Sequence, residues 1–115
     1  MRLSILSAGI LAAAMALQGG VSVVLHWQPP AKSSDAVVGY NVYRTDAGSS
    51  AWVKINKDLV HAATYTDKTA ERGAAYSYSI RSVDAQGHES GPSEPWSVTI
   101  PKKGKKVVEA TQKQQ

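Results

Sequence analysis

The sequence predicts an all-β fold, an antiparallel β-sandwich of six or seven strands. From Val21 onward apolar and polar residues alternate with a period of two, and turns rich in Gly, Pro, Asp and Ser separate these runs. After residue 20 no stretch has the 3.6-residue apolar spacing of an amphipathic helix. The chain has 115 residues and no cysteine, so it has room for one domain of about 100 residues. Its core must be held by apolar packing without disulfides.

The first residues predict a secretory signal peptide. Arg2 is followed by apolar or small residues up to Leu17, and Ala14-Met15-Ala16 provides a small-x-small cleavage site. We therefore predict a leader over residues 1–16, a short lead-in over 17–20, and a secreted or periplasmic protein. Such a run is shorter than the roughly 20 residues of a spanning helix, so no stable membrane span is expected once the leader is removed. The alternative is that these residues form a buried helix or a first strand.

Six runs of alternating residues follow the leader and predict the strands. They lie at 23–27, 38–42, 52–56, 64–66, 76–81 and 96–100. In the second run, Val38, Tyr40 and Val42 are predicted to share one face. In the fifth run, the side chains of Tyr76, Tyr78 and Ile80 are predicted to share one face, and those of Ser77, Ser79 and Arg81 the other. The side chains predicted to form the core are Trp27, Tyr40, Val42, Tyr76, Tyr78 and Ile80.

Five motifs in a fixed order carry a family resemblance. They are Val23-x-Leu25-x-Trp27-x-x-Pro30, Gly39-Tyr40-Asn41-Val42-Tyr43-Arg44, Tyr65-Thr66-Asp67, Gly73-x-x-Tyr76-x-Tyr78-x-Ile80-x-Ser82-Val83-Asp84 and Gly87-x-Glu89-Ser90-x-x-Ser93. Together they cover residues 21–101 and resemble a fibronectin type III domain of the kind found in bacterial exported proteins. The resemblance implies an immunoglobulin-like sandwich in which Trp27 is the core indole of strand B. It also implies that Tyr76 is the tyrosine of the E–F corner, with its hydroxyl bonded to backbone near 70–73.

A first strand A, usual in this family, is predicted to be short or missing here. After cleavage only residues 17–20 precede strand B, and they are too few and too rich in glycine to form a strand. The edge along Val21 to Trp27 is then open, and we predict that it accepts a strand from a partner or a second copy. The alternatives are a short solvated edge, or a strand A supplied by an uncleaved leader.

The formal net charge of +4 is not located on the predicted domain. Residues 21–101 carry seven Lys or Arg and eight Asp or Glu, whereas residues 102–115 carry five Lys and one Glu. A nucleic-acid surface needs its positive charge on the folded body, so no nucleic-acid partner is predicted. We predict a disordered basic tail over 102–115, in which Lys102, Lys103, Lys105 and Lys106 either contact an anionic envelope surface or only increase solubility.

No catalytic or metal site is predicted. Asp84, His88 and Ser90 lie close together in sequence, but a turn between the last two strands supplies neither a fixed base nor an oxyanion hole. His26, His61 and His88 lie on three separate segments without the spacing of metal ligands. We therefore expect no enzymatic activity and no cofactor.

The predicted function is that of a non-catalytic exported interaction or spacer module that binds a protein or a cell-surface polymer. Tyr43, Trp52 and Trp96 are the aromatic side chains that the core needs least. The candidate surface-binding residues are Trp52, Tyr43 and His88, together with the four lysines Lys102, Lys103, Lys105 and Lys106. The alternative function is a small carbohydrate-binding module that uses surface aromatics on a cell-envelope polysaccharide, and the alternative for Trp52 and Trp96 is a place in the core.

Overall fold

The computed structural model describes residues 20–29 and 36–112. Within these ranges the chain forms seven strands: β1 (Ser22–His26), β2 (Val37–Asp46), β3 (Val53–Lys54), β4 (Thr64–Asp67), β5 (Ala75–Asp84), β6 (Trp96–Thr99) and β7 (Val107–Thr111). The predicted leader at 1–16 lies outside the described residues, as do positions 17–19 of the lead-in. No helix in the described part of the chain is long and apolar enough to cross a membrane.

The strands form two sheets that face each other, which confirms the predicted sandwich. One sheet has the order β4-β1-β7 and the other β3-β2-β5-β6. The pairs that run in opposite directions are β1–β4, β2–β3, β2–β5 and β5–β6. The pair β1–β7 is parallel, so the sandwich is not wholly antiparallel as predicted.

The core lies between the sheets and is built from one face of each long strand. All six side chains that the sequence places in the core are buried: Trp27, Tyr40, Val42, Tyr76, Tyr78 and Ile80. Trp27 lies one residue beyond the end of β1, and its ring meets Tyr40 edge-on with 5.4 Å between centroids. Such an edge-to-face contact suits the ring quadrupoles and adds to the area that the two aromatics bury.

The connection between β4 and β5 is fixed by hydrogen bonds at one end of the sandwich. The hydroxyl of Tyr76 accepts a bond from the backbone N–H of Glu71 at 2.9 Å. Gly73 has a φ of +81° and donates its N–H to the carbonyl of Ile100 at 3.0 Å. Since only glycine adopts this left-handed conformation without strain, Gly73 lets the chain cross to β5 while it stays bonded to the end of β6.

A β-bulge near the start of β2 places Val38 outside the core. In the ladder with β5, Val37 pairs with Asp84 and Gly39 with Val83, so Val38 is the extra residue. The prediction that Val38 shares the face of Tyr40 is therefore wrong, and its side chain is 41% exposed. The next residue, Gly39, has no room for a side chain. A Cβ there would clash with the Leu59 side chain and lie 2.9 Å from the carbonyl oxygen of Val60.

The C-terminal residues form a strand where the sequence predicted disorder. β7 pairs along the whole of β1, from Ser22 opposite Val107 to His26 opposite Thr111. Its inward side chains, Val108 and Ala110, pack against the core. The prediction of a disordered tail over 102–115 is therefore wrong for 107–111, and the edge predicted to be open is covered by the chain itself. The cause is non-local, because an unpaired strand edge binds a short segment that has little strand signal of its own.

A buried polar cluster joins the two sheets. Asp67 at the end of β4 is 2% exposed, and its carboxylate accepts bonds from the Tyr78 hydroxyl at 2.7 Å and from Arg44 at 2.8 Å. Thr69 donates to the same carboxylate through its N–H at 2.9 Å and its hydroxyl at 2.7 Å. Asp67 directly follows the predicted run at 64–66, where aspartate is typical of a turn, whereas the structure uses its side chain to connect β4 to β2 and β5.

Candidate functional site

A cleft of about 300 Å³ lies on the outer face of the four-stranded sheet. Its lining combines two aromatic rings, two prolines, two serines and one arginine: Tyr43, Trp52, Ser79, Arg81, Pro92, Ser93 and Pro95. Two of the predicted surface-binding residues, Tyr43 and Trp52, thus line the same concavity. We call this set of residues the Tyr43–Trp52 cleft.

Strand pairing determines which side chains reach the cleft. On β2 and β5 the core residues alternate with outward ones, and Tyr43 lies directly opposite Ser79 in the ladder. Asn41 lies opposite Arg81, so the two rows form one continuous surface. Because successive side chains of a strand point to opposite faces, the burial of Val42 on the inner face requires Asn41 and Tyr43 to face outward.

The second wall of the cleft is the segment before β6. Ser93 is bonded to β5 at Ile80, whose carbonyl accepts the Ser93 N–H at 2.8 Å and whose N–H donates to the Ser93 hydroxyl at 2.9 Å. Pro92 and Pro95 on either side have no N–H to donate to a ladder. The strand therefore begins only at Trp96, and the two proline rings line the cleft instead.

A carboxylate fixes the polar rim of the cleft. Glu89 Oε2 accepts hydrogen bonds from the Tyr43 hydroxyl at 2.7 Å and from Asn41 Nδ2 at 2.6 Å. Burial alone would raise the pKa of Glu89, but these two bonds and the nearby charge of Arg81 outweigh it and lower the pKa below its usual value. The pKa of Tyr43 is raised, first by burial and then by its bond to Glu89. Tyr43 is therefore a neutral donor at physiological pH, and its ring is held in place.

Arg81 is positioned from three directions. Its guanidinium lies 5.6 Å from the centroid of the Tyr43 ring and 3.9 Å from the Glu89 carboxylate, and it donates to the carbonyl of Ser90 at 2.9 Å. Arginine on an aromatic face is a favourable cation–π arrangement. The cleft thus presents a preorganised cation beside an apolar floor, which lowers the entropic cost of binding a ligand.

The chemistry of the cleft is that of contact and hydrogen bonding. The Ser79 hydroxyl donates to the carbonyl of Ser93 at 2.9 Å, and the Ser93 hydroxyl is bonded to Ile80. The lining includes no histidine that would act as a base to these hydroxyls. Trp52, in contrast, is 39% exposed and contributes an aromatic ring to the lining.

The other candidate residues lie elsewhere. His88 is on the exposed β5–β6 turn, where its Nδ1 is 3.4 Å from Asp84. Asp84 itself accepts backbone N–H bonds of the turn from Gln86 and His88, each at 2.9 Å. The four candidate lysines, Lys102, Lys103, Lys105 and Lys106, are in the loop before β7. Trp96 packs 6.2 Å from Tyr78, between ring centroids, on the core side of β6.

Sequence reasoning missed several residues of the site. These are Asn41, Arg81, Glu89, Pro92 and Pro95. The alternation in β5 does place Arg81 on the outward face, but its position next to Tyr43 depends on the β2–β5 register. Glu89 has no local signal, because its role comes from a turn that folds back onto β2.

A family profile described as the fibronectin type III domain matches residues 15–99. This chain belongs to that family. The match confirms the resemblance to the fibronectin type III family that the five sequence motifs indicated, and it begins within the residues that the sequence assigns to the leader.

Similar fibronectin type III regions occur in larger proteins. The chain is 34% identical over 84 residues to human slow-type myosin-binding protein C, covering 68% of this chain and 7% of that protein. It is 33% identical over 75 residues to an amylopullulanase of Thermoanaerobacterium thermosulfurigenes, covering 65% of this chain and 4% of the enzyme. The structure of the twitchin kinase region from C. elegans matches with a TM-score of 0.60 and 27% identity, over 70% of this chain and 14% of that one. The chain thus spans a small fraction of each relative.

Proposed function

We propose that this fibronectin type III domain is an exported, non-catalytic interaction module whose protein partner contacts the Tyr43–Trp52 cleft. The observation that carries the proposal is the cleft itself, in which the half-exposed Trp52 ring lies in one concavity with Tyr43 and Arg81. The sequence supports export, through its predicted leader.

The composition of the cleft supports a protein partner. Trp, Tyr and Arg are the residue types that most often dominate the energy of protein interfaces, above all when they are packed rather than mobile. Here Tyr43 is fixed by Glu89, and Arg81 is fixed by Tyr43 and the Ser90 carbonyl. A partner would therefore meet two anchors that already have their bound conformation.

The relatives support a role as one module among others. Matching regions occupy a few per cent of a myosin-binding protein and of an amylopullulanase, two proteins with unrelated names and activities. A domain that recurs in such different proteins is used for its surface and its stable scaffold rather than for one reaction.

The experiment compares two exposed apolar side chains, Trp52 in the cleft on the four-stranded sheet and Val107 on the three-stranded sheet. The full chain is immobilised and exposed to the exported proteins of its source, with Trp52→Ala as the test variant and Val107→Ala as the control. We expect a partner that binds the unaltered chain and Val107→Ala, and whose capture by Trp52→Ala falls at least tenfold, as for a hot-spot residue. A partner that binds Trp52→Ala equally well would contradict the proposal.

The second candidate function is carbohydrate binding, and a specific observation favours it. The indole of Trp52 lies in the same cleft as the Arg81 guanidinium, and an aromatic face next to polar groups also suits a sugar ring. The test is a titration of the full chain with pullulan and with unrelated soluble polysaccharides, monitored by tryptophan fluorescence. A saturable change that Trp52→Ala abolishes would favour this function, and an unchanged spectrum would exclude it for these polymers.

A further inference from the structure

We propose that the segment of the partner that occupies the Tyr43–Trp52 cleft is proline-rich, has the polyproline II conformation and carries acidic residues beside its prolines. The inference rests on the proposed function, because it names the kind of partner for the same cleft. Polyproline II is an extended left-handed helix without internal hydrogen bonds, and grooves lined by aromatic residues are a recurring docking site for it. The shape, the hydrogen-bonding groups and the charge of the cleft all favour this occupant.

The cleft is a slot with a small residue at its floor. Ser79 lies directly opposite Tyr43 in the β2–β5 ladder, and opposite side chains share one face of a sheet. Ser79 is nevertheless only 3% exposed. The strand order β3-β2-β5-β6 puts Tyr43 and Trp52 on one side of it and the two prolines before β6 on the other. Since β2 and β6 are about 10 Å apart, the slot between their side chains is too narrow to enclose a helix of about 10–12 Å in diameter. An extended chain fits it better.

The hydrogen-bond acceptors around the cleft already have donors. The carbonyl of Ser93 accepts the Ser79 hydroxyl, and the carbonyl of Ser90 accepts Arg81, each at 2.9 Å. Oε2 of Glu89 accepts two further bonds at the rim. An ordinary peptide buried in the cleft would leave backbone N–H groups without acceptors, which is costly. Because proline has no backbone N–H, a proline-rich segment avoids this cost.

Donors, in contrast, are available to the carbonyls of such a segment. Trp52 is 39% exposed, and its indole N–H can only donate. Arg81 has five N–H donors, of which one is bonded to the Ser90 carbonyl. The carbonyls of a polyproline II segment are not used by internal hydrogen bonds. The cleft therefore offers donors and aromatic rings to a ligand that presents acceptors and apolar rings.

The charge at the rim favours acidic residues beside the prolines. Lys54 is exposed and lies opposite Tyr43 on the outer face, and Arg81 lies in the adjacent row on β5. Glu89 is 3.9 Å from Arg81, and the positive charge of Lys54 contributes to the lowering of its pKa. Among the described residues, those that line the cleft include no carboxylate. Two cations thus face the single carboxylate of Glu89, and an acidic residue of the partner would complement the excess positive charge.

The test measures binding of a labelled proline-rich peptide with glutamates at one end, about ten residues long, to the full chain by fluorescence anisotropy. A second peptide has alanine in place of each proline, and a third has lysine in place of each glutamate. We expect the first peptide to bind at least tenfold more tightly than the alanine peptide, because the alanine peptide has N–H groups to satisfy and is not preorganised. We expect the lysine peptide to bind about fivefold more weakly than the first.

Variants of the chain locate the contact. Trp52→Ala should lose at least tenfold in affinity for the first peptide. Trp52→Phe keeps an aromatic ring but removes the N–H donor, and it should lose about fivefold. Lys54→Gln should lose about threefold, whereas Lys105→Gln, the same change of charge in the loop before β7, should lose less than about 1.5-fold.

Two results would overturn the inference. Equal affinity for the proline and alanine peptides would exclude a polyproline II segment, and an affinity that Trp52→Ala leaves unchanged would exclude the cleft as its site.

Competition with the captured partner separates this inference from the proposed function. We expect the unlabelled proline-rich peptide to displace that partner from the unaltered chain. If Trp52→Ala abolishes capture but the peptide does not compete, the partner uses a different kind of segment and only this inference fails. If Trp52→Ala leaves capture unchanged, the proposed function fails as well.

Discussion

Arg44 on β2 and Asp67 on β4 form an ion pair between the two sheets, with 2.8 Å from Nη1 to Oδ2. The carboxylate is 2% exposed, and it also accepts the hydroxyl hydrogen bond of Tyr78 on β5. Burial lowers the pKa of Arg44, but its bond and attraction to Asp67 outweigh this effect and raise the pKa above its ordinary value. A charge buried so deeply requires these partners, because an unpaired carboxylate in this position would be strongly destabilising.

Replacement of Asp67 should therefore destabilise the fold severely. Asp67→Ala removes the charged partner of the Arg44 guanidinium and the acceptor of the Tyr78 hydroxyl, and we expect a loss of about 3–5 kcal/mol in the free energy of unfolding. Urea denaturation measures this loss, with the exposed Asp46→Ala as the control, for which we expect less than about 0.5 kcal/mol. A similar small effect of both substitutions would show that the ion pair does not connect the sheets.

The same carboxylate predicts how stability depends on acid. Burial raises the pKa of Asp67, but the hydrogen bonds from Thr69, Tyr78 and Arg44 outweigh burial and lower it in the folded state. Its unfolded value is about 3.9. The stabilisation is therefore fully present above about pH 4 and is lost as the pH falls through the lower folded-state value. The free energy of unfolding should fall more steeply between neutral and acid pH in the unaltered chain than in Asp67→Asn, and parallel curves would contradict the assignment.

Two tryptophans should differ sharply in their contribution to stability. Trp27 is 6% exposed and packs on Tyr40, so Trp27→Ala should cost about 3–5 kcal/mol. That loss is a large part of the roughly 5–15 kcal/mol expected of a native domain. Trp52 lies in the surface cleft, and Trp52→Ala should cost about 1 kcal/mol or less. Thermal unfolding of the two variants decides the matter, and equal losses would place Trp52 in the core.

Removal of β7 should expose the edge of β1. A chain that lacks residues 106–115 loses the ladder with Ser22–His26 and the packing of Val108 and Ala110 on the core. We expect it to be less stable by on the order of 2 kcal/mol and to associate with increasing concentration through the free edge. Urea denaturation and light scattering measure these effects, and removal of residues 113–115 alone is the control. A truncated chain that is as stable and as monomeric as the control would show that β7 does not close the sheet.

Local patterns predict most of this fold. β5 is recognisable because Tyr76, Tyr78 and Ile80 alternate with Ser77 and Ser79 over a long strand. The bulge at Val38 is not predictable from alternation, because it depends on the close approach of Gly39 to Leu59. β7 is not predictable from local alternation for a related reason. Its inward side chains, Val108 and Ala110, are few and small, and the strand forms because β1 has a free edge beside it.

The candidate site is less predictable than the fold. The sequence predicts Tyr43 and Trp52 as surface residues because the core needs them least, and the structure places both in one cleft. Their proximity to Arg81 and Glu89 depends on the β2–β5 register and on the β5–β6 turn, which folds back toward β2. A single sequence specifies neither feature. Asp67 illustrates the same limit, since a residue with the chemistry of a turn is buried between the sheets.

Chemical-shift mapping with the captured partner tests the proposed function most directly. The uniformly nitrogen-15-labelled chain is titrated with that partner, and the backbone amides and tryptophan indole N–H signals are followed. We expect the largest shifts at Tyr43, Ser79, Arg81 and the indole of Trp52, with little change along β1. Shifts confined to the turn at His88 or to residues 102–106, with an unmoved Trp52 indole, would contradict a partner site in the Tyr43–Trp52 cleft.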